Sequence, residues 1–149
     1  MKKPLPQSAL PLGFRFAATA CGLKKKKKLD LGMILSDTPA SAAAVFTTNL
    51  VQAAPVVLSR EHLRVSRGRM RGVVVNSGNA NCSTGPDGLR ASRSTASHAA
   101  REIGCKPEEI FVCSTGVIGV PLRVEKILRA LPDLAARTLS TFKVTSSLA

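Results

Sequence analysis

Two short apolar runs separated by one long amphipathic segment constrain the fold of this chain more than any other feature. The runs lie at residues 72–76 and 110–113, and the segment at residues 89–103 has helical spacing and is followed by Gly104. A strand, a helix and a second strand in this order form a unit whose strands run parallel. The sequence therefore predicts an α/β fold, in which a mixed sheet is flanked by helices.

Weaker patterns add three strands and two helices to this unit. The strands fall at residues 13–23, 29–35 and 42–48, and the helices at residues 55–63 and 121–131, the last beginning at Pro121. Five lysines at residues 24–28 separate the first two strands, so we expect a hairpin with these lysines at its tip.

Three further segments are predicted to lack regular structure. Residues 37–39 (Asp-Thr-Pro) are a turn signal, and the arginine-rich segment 64–71 is predicted to be a loop. Residues 1–12 are rich in proline, and we expect them to be irregular.

Polar residues follow the two apolar strands of the parallel unit. Residues 76–81 form a polar loop, and residues 114–119 form a glycine-containing turn. Because the carboxyl ends of parallel strands meet at one edge of a sheet, the two segments should meet where α/β proteins place their chemistry. The candidate site-lining residues are Asn76, Ser77, Gly78, Asn79 and Asn81. The alternative is a capped turn, because Asn and Gly tolerate left-handed backbone.

The Ser114-Thr115-Gly116 segment allows two chemical interpretations. In the first, Ser114 or Thr115 is a nucleophile, which requires a base within hydrogen-bonding distance. In the second, Thr115 and Gly116 donate hydrogen bonds to the oxyanion of a tetrahedral intermediate, and the nucleophile comes from elsewhere. The second requires less of the residues present, because neither histidine can be assigned to a triad.

Cysteine and histidine placement argues against metal or redox chemistry. The four cysteines have no C-x-x-C spacing, so we expect no metal site, and we expect reduced, buried thiols. His62 and His98 lie far apart on predicted helices, and we expect them at the surface or partly packed rather than as ligands or bases. No apolar run approaches the ~20 residues of a membrane span, so we expect a cytoplasmic protein without a membrane partner.

The formal net charge of +13 raises a rival function, a small basic nucleic-acid-binding module. Its positive charge is concentrated in the lysine block 24–28 and in five arginines, Arg60, Arg64, Arg67, Arg69 and Arg71. The rival requires both clusters to form one continuous patch. The chain has five Phe but no Trp or Tyr, so aromatic residues for base stacking are scarce. We therefore expect nucleic acid not to be its principal partner.

Several segments together resemble the N-terminal part of the ornithine acetyltransferase family, the bifunctional glutamate N-acetyltransferases of arginine biosynthesis. The resemblance runs in order from about residue 13 to residue 121. It is carried by GFRFA at 13–17, SD at 36–37, AAVFTTN at 43–49, AAPV at 53–56, SREHL at 59–63, VVNSGNAN at 74–81 and STGVIGVP at 114–121.

The resemblance implies a self-cleaving precursor. The threonine that begins its second chain is the nucleophile, and the α-amine of that threonine is the base. The acetyl group passes from N-acetylornithine, or from acetyl-CoA as a co-substrate, to glutamate, with no resident cofactor. The family's oxyanion hole carries over to Thr115 and Gly116. The implied partners are small-molecule substrates and the C-terminal β-chain of the same precursor, which together with this chain forms a hetero-oligomer.

The sequence departs from the family beyond residue 131. The family's Lys-Gly-rich stretch, which ends at an Ala-Thr cleavage junction, is absent, as is its Thr-Thr-Asp segment. We therefore predict an irregular segment at 1–12, an α-chain-like portion at 13–131 and a divergent tail at 132–149. The predicted fold is an incomplete half of a self-processing acetyltransferase, which supplies the oxyanion hole without a nucleophile and is inactive alone. A related self-processing aminopeptidase is a third, weaker alternative.

Overall fold

Four strands form a single mixed sheet in the part of the chain that the computed structural model describes, residues 11–25 and 27–140. They are β1 (Phe14–Thr19), β2 (Leu31–Ser41), β3 (Arg69–Asn79) and β4 (Ile110–Val117), and they lie in the order β1-β2-β3-β4. The first two pairings are antiparallel, and β3 pairs with β4 in parallel. The predicted α/β fold with a mixed sheet, the antiparallel hairpin of the first two strands and the parallel pair are all confirmed.

Three helices pack on one face of this sheet: α1 (Ala54–Val65), α2 (Gly85–Ile103) and α3 (Val124–Ser140). Residues of β2, β3 and β4 that share this face, Met33, Val74 and Val112, are buried against apolar residues of all three helices. The helical side of the core includes Leu58, Ala96, Ala99, Ile127, Leu131 and Leu134. Alanines on α2 let this helix approach the sheet and its neighbours closely, which compensates for the scarcity of large aromatic side chains.

The opposite face of the sheet is much less covered. Ile34, Val73, Val75 and Phe111 are half-buried there, and Cys113 is exposed. Part of this face borders a groove of about 360 Å³, whose other walls are α1 and the segment at 42–53 that joins β2 to α1. A sheet with one covered face buries only one side of each strand, which produces the alternating burial seen in β3.

The predicted third strand at 42–48 and the predicted turn at 37–39 are both wrong. β2 continues through residues 37–39 to Ser41, and its register with β3 shifts between Leu35 and Ala40. β1 pairs with β2 only as far as Ser36, so no residue of β1 needs an N–H donor at position 39. Pro39, which lacks a backbone N–H, is therefore tolerated there. β3 begins at Arg69, which pairs with Ser41. The residues that follow Ser41 therefore have no residue of β3 with which to pair.

The final helix also differs from its prediction of residues 121–131. It begins at Val124 rather than Pro121, and it continues through Pro132 to Ser140. The apolar face continues past the proline, and it buries Leu134, Ala135 and Thr138. The helix therefore crosses the boundary proposed after residue 131. The division into 1–12, 13–131 and 132–149 stays a prediction, since residues 1–10 and 141–149 lie outside the described part.

The strand predicted at 13–23 ends earlier, at Thr19, whereas the boundaries of the first two helices are close to the predicted ones. The helices predicted at 55–63 and 89–103 are α1 and α2, and Gly104 ends α2 in the left-handed conformation as expected. The predicted loop at 64–71 is shorter, because β3 begins at Arg69. In residues 11–25 and 27–140, no helix is long and apolar enough to cross a membrane.

The cysteines are free, as predicted, but the prediction that they are buried is wrong. Cys21, Cys82 and Cys105 are half-buried, and Cys113 is exposed. Cys113 belongs to β4 but projects from the uncovered face of the sheet, whereas the other three lie in connecting segments. The apolar neighbours in the sequence therefore did not determine burial.

Candidate active site

The two polar segments meet at the carboxyl ends of β3 and β4, as the sequence predicts. Asn76, Ser77 and Gly78 lie opposite Ser114, Thr115 and Gly116 in the parallel register. These residues were predicted to be a loop and a turn, but they continue the two strands, and the bend follows at residues 118–120. A sheet pairing therefore fixes their positions, which gives the site a more rigid backbone than a loop would.

Asn76 connects the ends of the two strands. Its side chain is buried, its Nδ2 donates to the Asn79 carbonyl at 2.8 Å, and its Oδ1 accepts from Ser114 Oγ at 2.6 Å. An amide oxygen is not a general base at neutral pH, so this hydrogen bond orients Ser114 without activating it. The interpretation of Ser114 as a nucleophile has no support in this geometry.

Asn79 and Asn81 are occupied by hydrogen bonds within the fold. Asn79 Nδ2 donates to the Val120 carbonyl at 2.9 Å, and Asn79 Oδ1 accepts from the Asn81 N–H at 2.7 Å. Asn81 is fully buried, and its Nδ2 donates to the Gly88 carbonyl and to Ser92 Oγ, both at 2.9 Å. These amides connect the end of β3 to α2 and to the segment before α3. Their predicted role in lining a substrate site stays a prediction.

Gly116 is required by the close approach of the two strand ends. Its φ is 137°, and an added Cβ would lie 2.3 Å from the Gly78 carbonyl carbon. Any side chain would therefore force the strands apart. Thr115 and Gly116 are both exposed, so neither is enclosed in the core.

Helix α1 satisfies the backbone of only the first half of β4. Ser59 Oγ donates to the Val112 carbonyl at 3.0 Å and accepts from the Val112 N–H at 3.2 Å. His62 Nδ1 donates to the Ile110 carbonyl at 2.8 Å, which assigns the proton to Nδ1 because a carbonyl can only accept. His62 is buried and structural, and His98 is half-buried, with Nδ1 2.9 Å from the Ser94 carbonyl. Ser59 was missed because a serine on a helix has no sequence signal for edge capping.

In the second half of β4, the outward-pointing backbone N–H groups are not covered by α1. Backbone groups of successive residues in a strand point to alternate sides. Val112 faces α1, away from β3, so Ser114 and Gly116 direct their N–H groups to the same outer side. The Gly116 N–H and the Thr115 hydroxyl therefore lie at an exposed strand end, where a ligand oxygen can reach them.

The thiols in the described part of the chain are not activated as nucleophiles. Burial, together with the nearby Asp30 carboxylate, raises the pKa of Cys21 to about 11, and burial raises the pKa of Cys105 to about 11. Partial desolvation by neighbouring atoms also raises the pKa of Cys113, although the residue is exposed at the surface of the sheet. Thiols with raised pKa values stay protonated at neutral pH and are poor nucleophiles. In residues 11–25 and 27–140, no group of three or more His, Cys, Asp or Glu could hold a metal ion.

The two basic clusters lie at opposite ends of the sheet. The lysine block precedes Leu31, which pairs with Asn76, whereas the arginine-rich segment leads into Arg69, which pairs with Ser41. Asn76 and Arg69 are seven positions apart on β3, a distance of about 23 Å at strand spacing. Arg60 is also engaged in holding the segment at 42–53, because it lies 5.1 Å from the Phe46 ring and donates to Gln52 and Thr47.

Together these features define an α/β domain whose parallel strand pair exposes Thr115 and Gly116 at a sheet edge. The model of the ArgJ family matches residues 15–148, and the chain belongs to that family. It is 53% identical over 124 residues to the arginine biosynthesis bifunctional protein ArgJ of Geobacter sulfurreducens, which covers 83% of this chain and 31% of that protein. The corresponding protein of Brucella suis is 45% identical over 141 residues, or 93% of this chain and 34% of that protein.

Solved structures give the same result. The crystal structure of ArgJ from Bacillus halodurans matches with a TM-score of 0.78 and 32% identity, over 92% of this chain and 75% of that one. Ornithine acetyltransferase from Mycobacterium tuberculosis, solved in complex with ornithine, matches with a TM-score of 0.79 and 39% identity, over 85% and 67%. The resemblance identified from the motifs is confirmed. The chain spans about a third of the length of the curated relatives it matches.

Proposed function

We propose that this chain supplies the oxyanion-binding half of an acetyl-transfer site that acts in arginine biosynthesis. The observation that carries the proposal is the exposed end of β4, where Gly116 directs its N–H away from β3 and Thr115 lies beside it. Membership of the ArgJ family supports the reaction class, and the named ornithine complex of one relative supports an ornithine-type substrate.

In the proposed reaction, a second chain provides a threonine as its first residue. The hydroxyl oxygen of that threonine attacks the acetyl carbonyl carbon of N-acetylornithine, and its proton passes to the α-amine of the same threonine. The carbonyl π electrons move to oxygen, where Thr115 and Gly116 donate hydrogen bonds to the negative charge. Each preorganised donor contributes about 3–4 kcal/mol to transition-state stabilisation.

Collapse of the intermediate completes the transfer. The carbon–nitrogen bond breaks, the ornithine nitrogen leaves with the proton, and the acetyl group remains as an ester on the threonine. The amine of glutamate then attacks the ester carbonyl, the threonine oxygen leaves and recovers a proton, and N-acetylglutamate is released. Acetyl-CoA enters the same scheme as an alternative donor, with its thiol as the leaving group.

The partner in this proposal is the second chain of the same precursor. The uncovered sheet face and the apolar groove beside it are the surfaces we assign to that contact. Val45 and Leu50, in the segment that borders the groove, are 99% and 98% exposed. Obligate partners commonly bury large apolar surfaces of this kind. Alone, the chain is expected to associate with itself through them.

The test combines this chain with a second-chain polypeptide that begins with the nucleophilic threonine. Acetyl transfer from N-acetylornithine to glutamate is measured with each chain alone and with both. We expect transfer only from the pair. In the pair, Thr115→Val should lower kcat by about 10²–10³-fold with little change in KM, because the donor acts on the transition state.

A matched substitution separates the hydroxyl from the shape of the side chain. Thr115→Ser keeps the hydroxyl and should retain most of kcat, whereas Thr115→Val keeps the shape and should not. Turnover by this chain alone, or equal kcat for the two variants, would contradict the proposal. The rival nucleic-acid function has less support, because the lysine block and the arginine-rich segment adjoin opposite ends of the β2–β3 pairing.

A further inference from the structure

A second cavity, distinct from the apolar groove, is lined by cations and by no anion. It has a volume of about 400 Å³ and lies between the β1–β2 connection and the start of α3. Its charged lining residues are Lys24, Lys25, Arg123 and Lys126. None of the described Asp or Glu side chains lines it, and Glu125, in the first turn of α3, lies outside the lining.

The lysine side of the cavity is held by a buried carboxylate. Asp30 accepts the Cys21 N–H at 2.6 Å and the Lys24 N–H at 2.7 Å. Burial alone would raise the pKa of Asp30, but hydrogen bonds from Lys24, Cys21 and Leu23 outweigh it and lower the pKa. Asp30 is therefore ionised at neutral pH and is engaged by the backbone behind the cavity. These hydrogen bonds hold the backbone at Cys21 and Lys24 in place.

Close packing sets the direction of one lysine. A Cβ added to Gly78 would lie 3.0 Å from Lys24 Cγ, so the lysine stem rests directly on this glycine. Across the cavity, Lys126 Nζ donates to the Gly22 carbonyl at 2.6 Å, which joins the start of α3 to the same connection. No ion pair with a described carboxylate offsets the charge of Lys24, Lys25, Arg123 or Lys126.

We propose that this cavity binds the phosphate groups of a small molecule. Four cations around one space repel each other, and a bound anion relieves that repulsion. A single carboxylate carries one negative charge, whereas a diphosphate carries two or three and offers several acceptor oxygens to the lysine and arginine donors. The cavity borders Gly78, the register partner of Gly116, but neither Thr115 nor Gly116 lines it, so bound phosphates would lie outside the candidate oxyanion hole.

The proposed function indicates which small molecule carries the phosphates. Only this identification of the ligand rests on the proposed function. Acetyl-CoA carries a diphosphate and a further phosphate on its nucleotide end, so an acyl donor of this kind supplies the required charge. Phosphate binding itself does not depend on acetyl transfer, because it is measured on this chain without the second chain.

The test is calorimetric titration of this 149-residue chain with inorganic pyrophosphate, with acetate as the singly charged comparison. We expect pyrophosphate to bind and acetate not to bind measurably at the same concentration. The double variant Lys24→Gln/Arg123→Gln should weaken pyrophosphate binding at least tenfold. The matched double variant Lys27→Gln/Lys28→Gln removes the same charge from exposed positions outside the lining, and it should change binding less than twofold.

Further ligands distinguish the sources of phosphate. Coenzyme A should compete with pyrophosphate, whereas pantetheine, which lacks phosphate, should not. If pyrophosphate binds selectively but coenzyme A does not compete, the phosphate site stands and its assignment to an acyl carrier is overturned. Absence of pyrophosphate binding, or equal weakening by the two double variants, overturns the site. If the chain binds a single-stranded oligonucleotide and both double variants weaken that binding equally, the lysines and arginines form a diffuse nucleic-acid surface, and the phosphate site is overturned.

Discussion

The two halves of β4 belong to one strand and have opposite relations to their surroundings. In the first half, Ser59 and His62 of α1 satisfy the outward backbone groups of Val112 and Ile110. In the second half, Ser114 and Gly116 direct equivalent groups toward an exposed side. An unpaired strand edge is ordinarily a liability that proteins cover. Here the helix covers only the first half of the strand, and it leaves open the half that we propose binds an oxyanion.

The open half also depends on a close strand contact that the covered half lacks. Gly116 approaches Gly78 within the space a side chain would occupy, whereas Val112 packs by its side chain into the core. One half is therefore held by burial and helix capping. The other is held by glycine packing and by the amide network of Asn76 and Asn79.

The largest expected effect on this comparison comes from Gly116→Ala. The new Cβ would overlap the backbone of Gly78 and Asn79, and the residue would also be strained at a φ of 137°. We expect a loss of about 3–4 kcal/mol in the free energy of unfolding, measured by urea denaturation. Gly119→Ala is the control, since Gly119 also has a positive φ but open space around it, and it should lose only about 1 kcal/mol. Similar losses for both variants would show that the close strand contact is unimportant.

A smaller effect should follow from removing the cap of the covered half. Ser59→Ala leaves the buried N–H and carbonyl of Val112 without their partner. We expect a loss of about 1–3 kcal/mol in the free energy of unfolding, and faster hydrogen exchange at the Val112 amide. Ser97→Ala, at an exposed position on α2, should stay within about 0.5 kcal/mol of the parent chain. If Val112 exchanges as fast as Gly116 in the parent chain, the two halves do not differ as described.

The smallest effect concerns pH, because an ionised carboxylate holds the connection that packs on Gly78, the register partner of Gly116 in the open half. Asp30 holds the connection beside this half, and its carbonyl accepts the Ser77 N–H at 2.8 Å. Its pKa is lowered in the folded chain, so its contribution is present above the unfolded pKa and is lost as pH falls through the folded pKa. The free energy of unfolding, measured by urea denaturation, should decline between about pH 5 and pH 2. Part of this decline should be absent in Asp30→Asn. Asp133→Asn is the matched control, because its ion pair with Arg137 is exposed and contributes little to stability.

The sequence predicted the central unit of the fold from strong local patterns. The parallel pair and α2 combine apolar runs with a long amphipathic segment, and both were found where expected. The meeting of the two polar segments also followed, because parallel strands end at one sheet edge. By contrast, the strand predicted at 42–48 failed because a strand needs a partner, and β3 offers none beyond Arg69. Pro132 in α3 was likewise tolerated because the helix keeps burying an apolar face beyond it.

By itself, the sequence determined the α/β class, the family motifs and the identity of Thr115 and Gly116 as the candidate donors. These properties depend on local periodicity and on residue type. Only the tertiary structure decided that α1 covers one half of β4, that three buried amides support the other half, and that four cations from distant segments share one cavity. Each of these depends on contacts between residues far apart in the chain, which no local pattern specifies.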